Sequence, residues 1–141
     1  FFAYGTTNNA DVTGDGTNYS IVCDTEIFDQ GADHNTTTGV FTAPVTGRYI
    51  FIPSIYYDDI GAGHTIGEIL IITSNRNYRF NIWNLANVAN SFGDVVFNGS
   101  TFADMDAADT AYMQADVSGS TKTVDVDANT TLTSFAGYLL A

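Results

Sequence analysis

The sequence offers few side chains that could do catalytic chemistry. It contains only two histidines, His34 and His64, and each lies in a segment rich in Gly, Asp or Asn. We find no G-x-S-x-G nucleophile elbow, no H-E-x-x-H metal-binding pair and no Gly-rich phosphate loop. A glycosidase-like pair of carboxylates stays open, because the distance within such a pair is set by the fold. The absence of catalytic motifs predicts that the chain is not an enzyme.

Clusters of acidic side chains could bind calcium, which prefers oxygen ligands. The run that starts at Asp125 and Asp127 does not fit the helix-loop-helix calcium motif. Its sixth position is Thr130 instead of Gly, and its twelfth is Ala136 instead of Glu. Calcium is therefore a candidate cofactor, but the local spacing of the acidic residues does not identify its ligands. The acidic clusters are Asp11 with Asp15, Asp58 with Asp59, and Asp104, Asp106 and Asp109.

Two aromatic side chains could form a carbohydrate site. Trp83 ends the run YRFNIW, and Tyr56 lies beside Tyr57 in the run IPSIYY. An exposed aromatic ring offers a flat apolar face on which the C–H groups of a sugar can stack. We predict Tyr56 and Trp83 as ligand-binding residues, and the alternative is that both pack in the core.

The charge balance excludes some partners. The chain has 16 acidic residues and four basic ones, which gives a formal net charge of −12. Such a surface repels the phosphate backbone of nucleic acid, which binds through Lys and Arg. It also has no basic patch for an anionic membrane surface. We expect neither nucleic acid nor a membrane as a partner.

The length and the apolar runs predict one domain that does not span a membrane. A chain of 141 residues fits a single domain, here residues 1–141. The longest apolar runs, IGEILIIT and TSFAGYLLA, have the length of strands. The single cysteine, Cys23, cannot form a disulfide within the chain. Because the chain starts FFAYG without Met, we expect it to be a piece of a longer protein.

The pattern of elements is that of an all-β protein. Short runs of β-branched and aromatic residues are separated by Gly, Asn, Asp and Thr, and only NLANVANSF could form a turn or two of helix. So many strands predict two packed sheets. The candidate strands are FFAYG, NYSIVCDTEI, GVFTAP, RYIFIPSIYY, EILIITS, YRFNIWN, DVVFNG, AYMQADVS, KTVDVD and LTSFAGYLLA.

One candidate strand, RYIFIPSIYY, is apolar on both faces. Alternation places Tyr49, Phe51 and Tyr57 on one face and Ile50 and Ile52 on the other. A two-layer sandwich covers one face of a strand only, and the chain has no helices to cover the second. A second copy of the chain could supply this cover. The alternative is a barrel whose strands are covered by long loops.

Two separated motifs resemble the C1q-like globular domain, a member of the tumour-necrosis-factor-like jelly rolls. The first, TGVFTAPVTGRYIF, has the family's spacing of an aromatic residue, Pro, Gly, Tyr and Phe, and the second, SFAGYLLA, is similar to its closing motif. The segments around ADVTGDG and DMDAADTAY are similar to the bacterial and phage branch. The matching residues are Phe41, Pro44, Gly47, Tyr49, Phe51, Ser134, Phe135, Gly137, Tyr138, Leu139 and Leu140.

The resemblance implies a fold and an assembly. The family forms a ten-stranded jelly-roll β-sandwich that assembles into a homotrimer, commonly at the C-terminal end of a fibrous stalk. The resemblance therefore implies that residues 1–141 are the C-terminal head of a longer or fibrous protein. Some members hold calcium near the three-fold axis, and the corresponding stretch here contains one acidic residue, Asp94. The positions that we expect at the trimer interface or in the core are Tyr49, Phe51, Tyr57, Tyr138 and Leu140.

These features together predict a recognition protein. We expect a non-enzymatic trimeric head of an extracellular or virion fibre that binds a glycan or protein receptor on a cell surface. One alternative is a purely structural trimerisation cap or a self-assembling fibre subunit without a ligand. A more distant alternative is a carbohydrate-active enzyme.

Overall fold

The structure is a computed structural model that describes residues 1–140, and it places the strands in two antiparallel sheets. A short helix follows the ninth strand, and no helix in residues 1–140 has the length and hydropathy needed to cross a membrane. The elements are β1 (Phe2–Tyr4), β2 (Asn9–Thr13), β3 (Asn18–Ile21), β4 (Thr25–Phe28), β5 (His34–Asn35), β6 (Val40–Thr42), β7 (Gly47–Asp58), β8 (Ile66–Thr73), β9 (Asn77–Trp83), α1 (Leu85–Val88), β10 (Val95–Asn98), β11 (Thr101–Met105), β12 (Thr110–Ser118), β13 (Val124–Val126) and β14 (Ser134–Leu139).

The 12-residue strand β7 organises the first sheet. The order of this sheet is β2-β13-β7-β14-β1-β4, and β10 and β11 also pair with β7. Ile50 of β7 lies opposite both Tyr138 of β14 and Phe102 of β11, so these two strands flank β7 on opposite sides. One strand therefore fixes the positions of four others.

The second sheet is built around β12 and β8. Its order is β5-β6-β12-β8-β9, with β3 also paired to β12. β12 alternates between buried and partly exposed residues along its whole length, as expected for a strand with one face in the core. The two sheets pack face to face, so an all-β sandwich of two sheets is confirmed.

The number and extent of the strands differ from the sequence prediction. The structure has fourteen strands in residues 1–140, so the ten-stranded count is not confirmed. The predicted strand NYSIVCDTEI is divided, because β3 joins the second sheet and β4 joins the first. Three further strands, β2, β5 and β11, were not predicted from the sequence.

The aromatic face of β7 lies in the core of the single chain. Tyr49, Phe51 and Tyr57 are at most 2% exposed. The ring of Phe51 stacks on Tyr49 and on Phe135 of β14, with centroids 6.2 and 5.7 Å away. Among the five positions predicted for the interface or the core, these three β7 residues therefore pack within one chain.

The remaining two predicted positions point away from the core. Tyr138 is 69% exposed and Leu140 is 48% exposed. Tyr138 lies opposite Ile50, and the backbone N–H of Leu140 donates to the carbonyl of Arg48. Both residues therefore lie along the outer face of the first sheet, where one chain alone leaves them in contact with solvent.

We expect Tyr57→Phe to destabilise the fold, because the Tyr57 hydroxyl links the two sheets. It donates to the carbonyl oxygen of Glu68 at 2.7 Å in a buried position, and burial raises the pKa of this phenol. Loss of the hydroxyl leaves a buried carbonyl unpaired, which costs about 1–3 kcal/mol in the free energy of unfolding. Urea unfolding measures this loss, with Tyr56→Phe as the neighbouring control that changes stability by less than about 0.5 kcal/mol. Equal stability of the two variants would contradict this role of Tyr57.

Candidate functional site

An aromatic groove lies where the edge of the second sheet meets β10 of the first sheet. Its volume is about 290 Å³. The exposed ring of Trp83 lies in its wall, and two asparagine amides provide its polar groups. We call this site the Trp83 groove. Its lining residues are Asn81, Trp83, Val88, Val96, Phe97 and Asn98.

A β-bulge in β9 orients the tryptophan. Phe80 pairs with Ile69 and Trp83 pairs with Gly67, so two residues of β9, Asn81 and Ile82, lie opposite one residue of β8. Bulges turn the side chains that follow them and are common beside binding sites. Here the bulge is accompanied by outward exposure of Ile82 (62%) and Trp83 (54%).

Asn81 stabilises this bulge. Its φ angle is 53°, in the left-handed region that Asn adopts more readily than most non-glycine residues. Its side-chain amide donates to the carbonyl oxygen of Asn98 at 2.7 Å, which joins β9 to β10 across the groove. The side chain of Asn98 is exposed, so its amide is accessible to a ligand.

The short helix α1 forms one wall of the groove. Leu85 is fully buried and packs closely against Gly67, where a Cβ atom would collide with the leucine side chain. The backbone N–H of Ala86 donates to the carbonyl of His64 at 3.0 Å. These contacts hold α1 against β8 and place Val88 in the wall of the groove.

His64 ties this region to the rest of the molecule. Its Nδ1 atom accepts the backbone N–H of Gly61 at 2.8 Å, and its Nε2 atom lies 3.0 Å from the carbonyl oxygen of Thr121. Because Nδ1 is an acceptor, Nε2 carries the proton and donates it to Thr121. His64 is 2% exposed, so it supports the loops next to the groove and does not face a ligand.

Strand β10 links the groove to Asp94, which directly precedes this strand. Val96 lines the groove and pairs with Tyr56 of β7, so their side chains share the outer face of the sheet. Burial and the neighbouring Asp94 carboxylate raise the pKa of the Tyr56 phenol. The three predicted residues Tyr56, Trp83 and Asp94 are therefore brought to one region, with Val96 between them.

Asp94 is held by a tight loop. The Asn90 amide donates to Asp94 Oδ2 at 2.9 Å, while Asn90 Oδ1 accepts the backbone N–H groups of Phe92 and Asp94. The Asn90 hydrogen bond, followed by contact with Asp58, lowers the pKa of Asp94. The pKa of Asp58 is raised by its partial burial and by the adjacent Asp94. The pairing of Val95 with Tyr57 brings the neighbouring Asp94 and Asp58 close together.

Further carboxylates lie in and next to β13, which pairs with this end of β7. Asp125 lies opposite Asp58 in the β13–β7 pairing. Burial, then Asp125, Asp59 and Asp94, raise the pKa of Asp127, which shows that these charges act on one another. We call Asp58, Asp59, Asp94, Asp125 and Asp127 the acidic cluster.

The calcium prediction at Asp94 stays a prediction, and the geometry of one chain gives it little support. In residues 1–140 no group of three or more His, Cys, Asp or Glu side chains is arranged to hold a metal ion. Asp94 directly faces one other carboxyl group, that of Asp58. Calcium takes six to eight oxygen ligands, so this pair alone does not make a calcium site.

Tyr56 and Trp83 of this region were predicted from the sequence, but its asparagine residues were not. Asn81 lies inside an apolar run and Asn98 lies at the end of another, and nothing else in the sequence marks them as site residues. An asparagine within a strand is unfavourable, which is consistent with a bulge but does not reveal which strand lies across from it. The hydrogen bond between β9 and β10 therefore needed the structure.

Comparisons with known proteins agree with this architecture. A family model described as "C1q domain" matches residues 1–140. The globular domain of zebrafish complement 1qA protein is similar, with a TM-score of 0.64, 15% identity and coverage of 100% of this chain and 96% of that chain. Murine APRIL is also similar, with a TM-score of 0.54, 8% identity and coverage of 95% and 94%. No curated protein matches the sequence.

We expect Asn81→Ala to destabilise the groove more than Asn81→Gly. Alanine in a left-handed conformation costs about 1–2 kcal/mol, and loss of the bond to Asn98 adds about 1 kcal/mol. Glycine loses the bond but tolerates the positive φ angle. The free energy of unfolding in urea measures both changes. If alanine were tolerated as well as glycine, the backbone conformation at Asn81 would not limit stability.

Proposed function

The chain belongs to the C1q domain family, and from this premise we propose that it is a non-enzymatic trimeric head that binds a cell-surface glycan through the Trp83 groove. C1q- and TNF-like domains are typically trimeric recognition or ligand modules, and they are mostly secreted or extracellular. The proposed setting is the end of an extracellular or virion fibre. The observation that carries the glycan proposal is the exposed indole of Trp83 in a groove with two asparagine amides.

The proposal of a trimer is supported by an apolar surface on the first sheet. Phe102 of β11, 68% exposed, and Tyr138 of β14 both lie opposite Ile50, so all three share one face. Ile52 pairs with Ala136 two residues further along the same face. Contiguous exposed apolar surface of this kind is typical of protein interfaces. We call Ile50, Ile52, Phe102, Tyr138 and Leu140 the outer apolar face.

Other copies of the chain are the proposed cover for this face. Burial of apolar surface stabilises an interface by about 25 cal/mol per Å² before the cost of association is subtracted. A partner with the same formal charge of −12 adds repulsion, so the contact must be dominated by apolar groups. The outer apolar face supplies such groups on strands held rigidly by β7.

The groove suits a short segment of a glycan. Its volume of about 290 Å³ is near the lower limit for small-molecule sites. The Trp83 ring can stack on the apolar face of a sugar, while the Asn98 amide can both donate to and accept from sugar hydroxyls. Three such sites on one trimer would give avidity to a weak single-site interaction.

A structural cap without a ligand is the second candidate. The outer apolar face supports assembly equally well for a recognition head and for a structural cap. The structural cap needs no other surface. A structural cap gives no role to the indole of Trp83, which is more than half exposed and follows the bulge that Asn81 stabilises. We therefore favour recognition over a purely structural role.

We expect Tyr138→Ala to weaken assembly without unfolding the chain. The ring is 69% exposed in one chain, so its removal takes apolar area from the proposed interface and little from the core. Light scattering over a concentration series should show a trimer for the parent and smaller species for the variant. Phe92→Ala is the control, because Phe92 is 82% exposed on a loop outside the sheet. A parent that stays monomeric at all concentrations, or a variant that assembles normally, would contradict the proposal.

We expect Trp83→Ala to remove glycan binding while Trp83→Phe retains part of it. Phenylalanine keeps an aromatic face for stacking, whereas alanine does not. A glycan array identifies the ligands of the parent, and titration calorimetry then compares the variants. The loss for alanine should be about tenfold or more, equivalent to at least about 1.4 kcal/mol. Undiminished binding by Trp83→Ala would exclude the groove as the site, and an array without any ligand would favour the structural cap.

A further inference from the structure

Three charged side chains, Glu68, Arg79 and Asp116, meet on the outer face of the second sheet. Glu68 of β8 lies directly opposite Asp116 of β12. Residues opposite each other in an antiparallel pair point to the same face, with Cβ atoms about 5 Å apart. This is the outer face, because Ala115 and Val117, which flank Asp116 along β12, are fully buried in the core. We call Glu68, Arg79 and Asp116 the Glu68 cluster.

Arg79 is the cation of the Glu68 cluster, and its hydrogen bonds go to Glu68. Its Nε atom donates to Glu68 Oε2 at 2.6 Å, and its Nη2 atom donates to Oε1. The Glu68 side chain is 1% exposed and the Arg79 side chain is 56% exposed, so the arginine covers the carboxylate from the solvent side. Because both oxygens of Glu68 bind Arg79, Asp116 receives only a longer-range attraction from it.

Asp116 is the unsatisfied member of the Glu68 cluster. Its Oδ1 atom is buried and has no hydrogen-bonding partner in residues 1–140. A buried carboxylate oxygen without a donor is costly while the group is charged, and a bound proton removes that charge. Desolvation, followed by the negative charge of Glu68, raises the pKa of Asp116, and Arg79 opposes this shift.

The remaining strands that pack around Asp116 bring no further charge to it. Asn18 of β3 lies opposite Asp116, and its amide does not titrate. Tyr57 reaches this region from β7, and burial, then the Asp116 charge, raises the pKa of its phenol, which therefore stays neutral. The charge balance at Asp116 is thus set within the Glu68 cluster.

We propose that the Glu68 cluster is a pH-sensitive switch in the stability of the second sheet. In mildly acidic solution Asp116 holds a proton, and Arg79 neutralises Glu68 alone. As the pH rises toward neutrality, Asp116 releases this proton to the solvent, and two negative charges then face one positive charge. The resulting repulsion acts between β8 and β12, and β8 also carries the edge strand β9 with Trp83. The switch is independent of what the Trp83 groove binds.

The direction of the pH dependence follows from the raised pKa of Asp116. A carboxyl group whose pKa is higher in the folded state contributes its full stabilisation below its unfolded value, about 3.9 for Asp. This contribution is lost as the pH rises through the folded value. Aspartates with a lowered pKa, such as Asp15 and Asp24, act in the opposite direction. The contribution of Asp116 must therefore be isolated by substitution.

Asp116→Asn tests the switch, because an amide has the shape of a protonated carboxyl group and does not ionise. Urea unfolding is followed by circular dichroism and by the fluorescence of Trp83, the single tryptophan. A pH-independent cost of the amide cancels in the pH dependence of the ratio of the unfolding constants, parent over variant. We expect this ratio to rise from about pH 4 to about pH 7 by more than the roughly twofold effect typical of surface substitutions. A ratio that stays constant or falls would overturn the inference.

Glu26→Gln is the matched control, since it removes an exposed carboxylate from β4 in the first sheet. The same ratio for this variant should stay constant within about twofold. A rise as large as that for Asp116→Asn would show a general effect of net charge and refute a switch at the Glu68 cluster.

Arg79→Gln tests the role of the cation. Without Arg79 the two carboxylates repel more strongly, so Asp116→Asn should stabilise this variant at neutral pH by a larger factor than it stabilises the parent. An equal factor in both backgrounds would refute the coupling. Carbon-13 NMR of the Asp116 carboxyl group in the parent gives a test that needs no variant. A titration midpoint above about 3.9 supports the switch, and one at or below this value excludes it.

Discussion

The two faces of β7 impose the constraint on which the rest of the structure depends. Its inner face buries Tyr49, Phe51 and Tyr57 against the second sheet, and both of its edges are hydrogen-bonded to other strands. Displacement of this strand by one residue would turn its aromatic side chains outward and its isoleucines inward. The buried hydroxyl of Tyr57 further fixes its position relative to β8. The positions of the outer apolar face and of the acidic cluster both follow from this single register.

The groove depends on a local departure from that regular order. An unbroken β9 would direct alternate residues inward and outward in register with β8. The extra residue at Asn81 interrupts the alternation, and the bond to Asn98 fixes the interrupted segment to the first sheet. A site built in this way is rigid before a ligand arrives, which reduces the conformational entropy lost on binding.

The sequence predicts the features that arise from periodicity and misses those that arise from pairing between distant segments. The alternation in RYIFIPSIYY correctly separates the buried Tyr49 face from the face of Ile52. The division of NYSIVCDTEI could not be predicted, because residues 22–24 carry no Pro or Gly to mark the change of sheet. Strand β11 was missed because its outward positions include Asp104, which resembles loop sequence. For the site, the aromatic ring of Trp83 was predictable in type, whereas its exposure depends on a bulge that only the pairing with Gly67 defines.

Charge links the two proposed surfaces. Each copy carries a formal charge of −12, so the proposed assembly through the outer apolar face would bring like charges together and work against burial. The five carboxylates of the acidic cluster contribute to this repulsion without a local counterion from the chain. A ligand that neutralises them would lower the electrostatic cost of assembly wherever two clusters approach within the screening length of about 8 Å. By thermodynamic reciprocity, assembly would then strengthen the binding of a cationic ligand by the same factor. In the proposed trimer, the repulsion that opposes assembly would therefore also favour a ligand that carries positive charge.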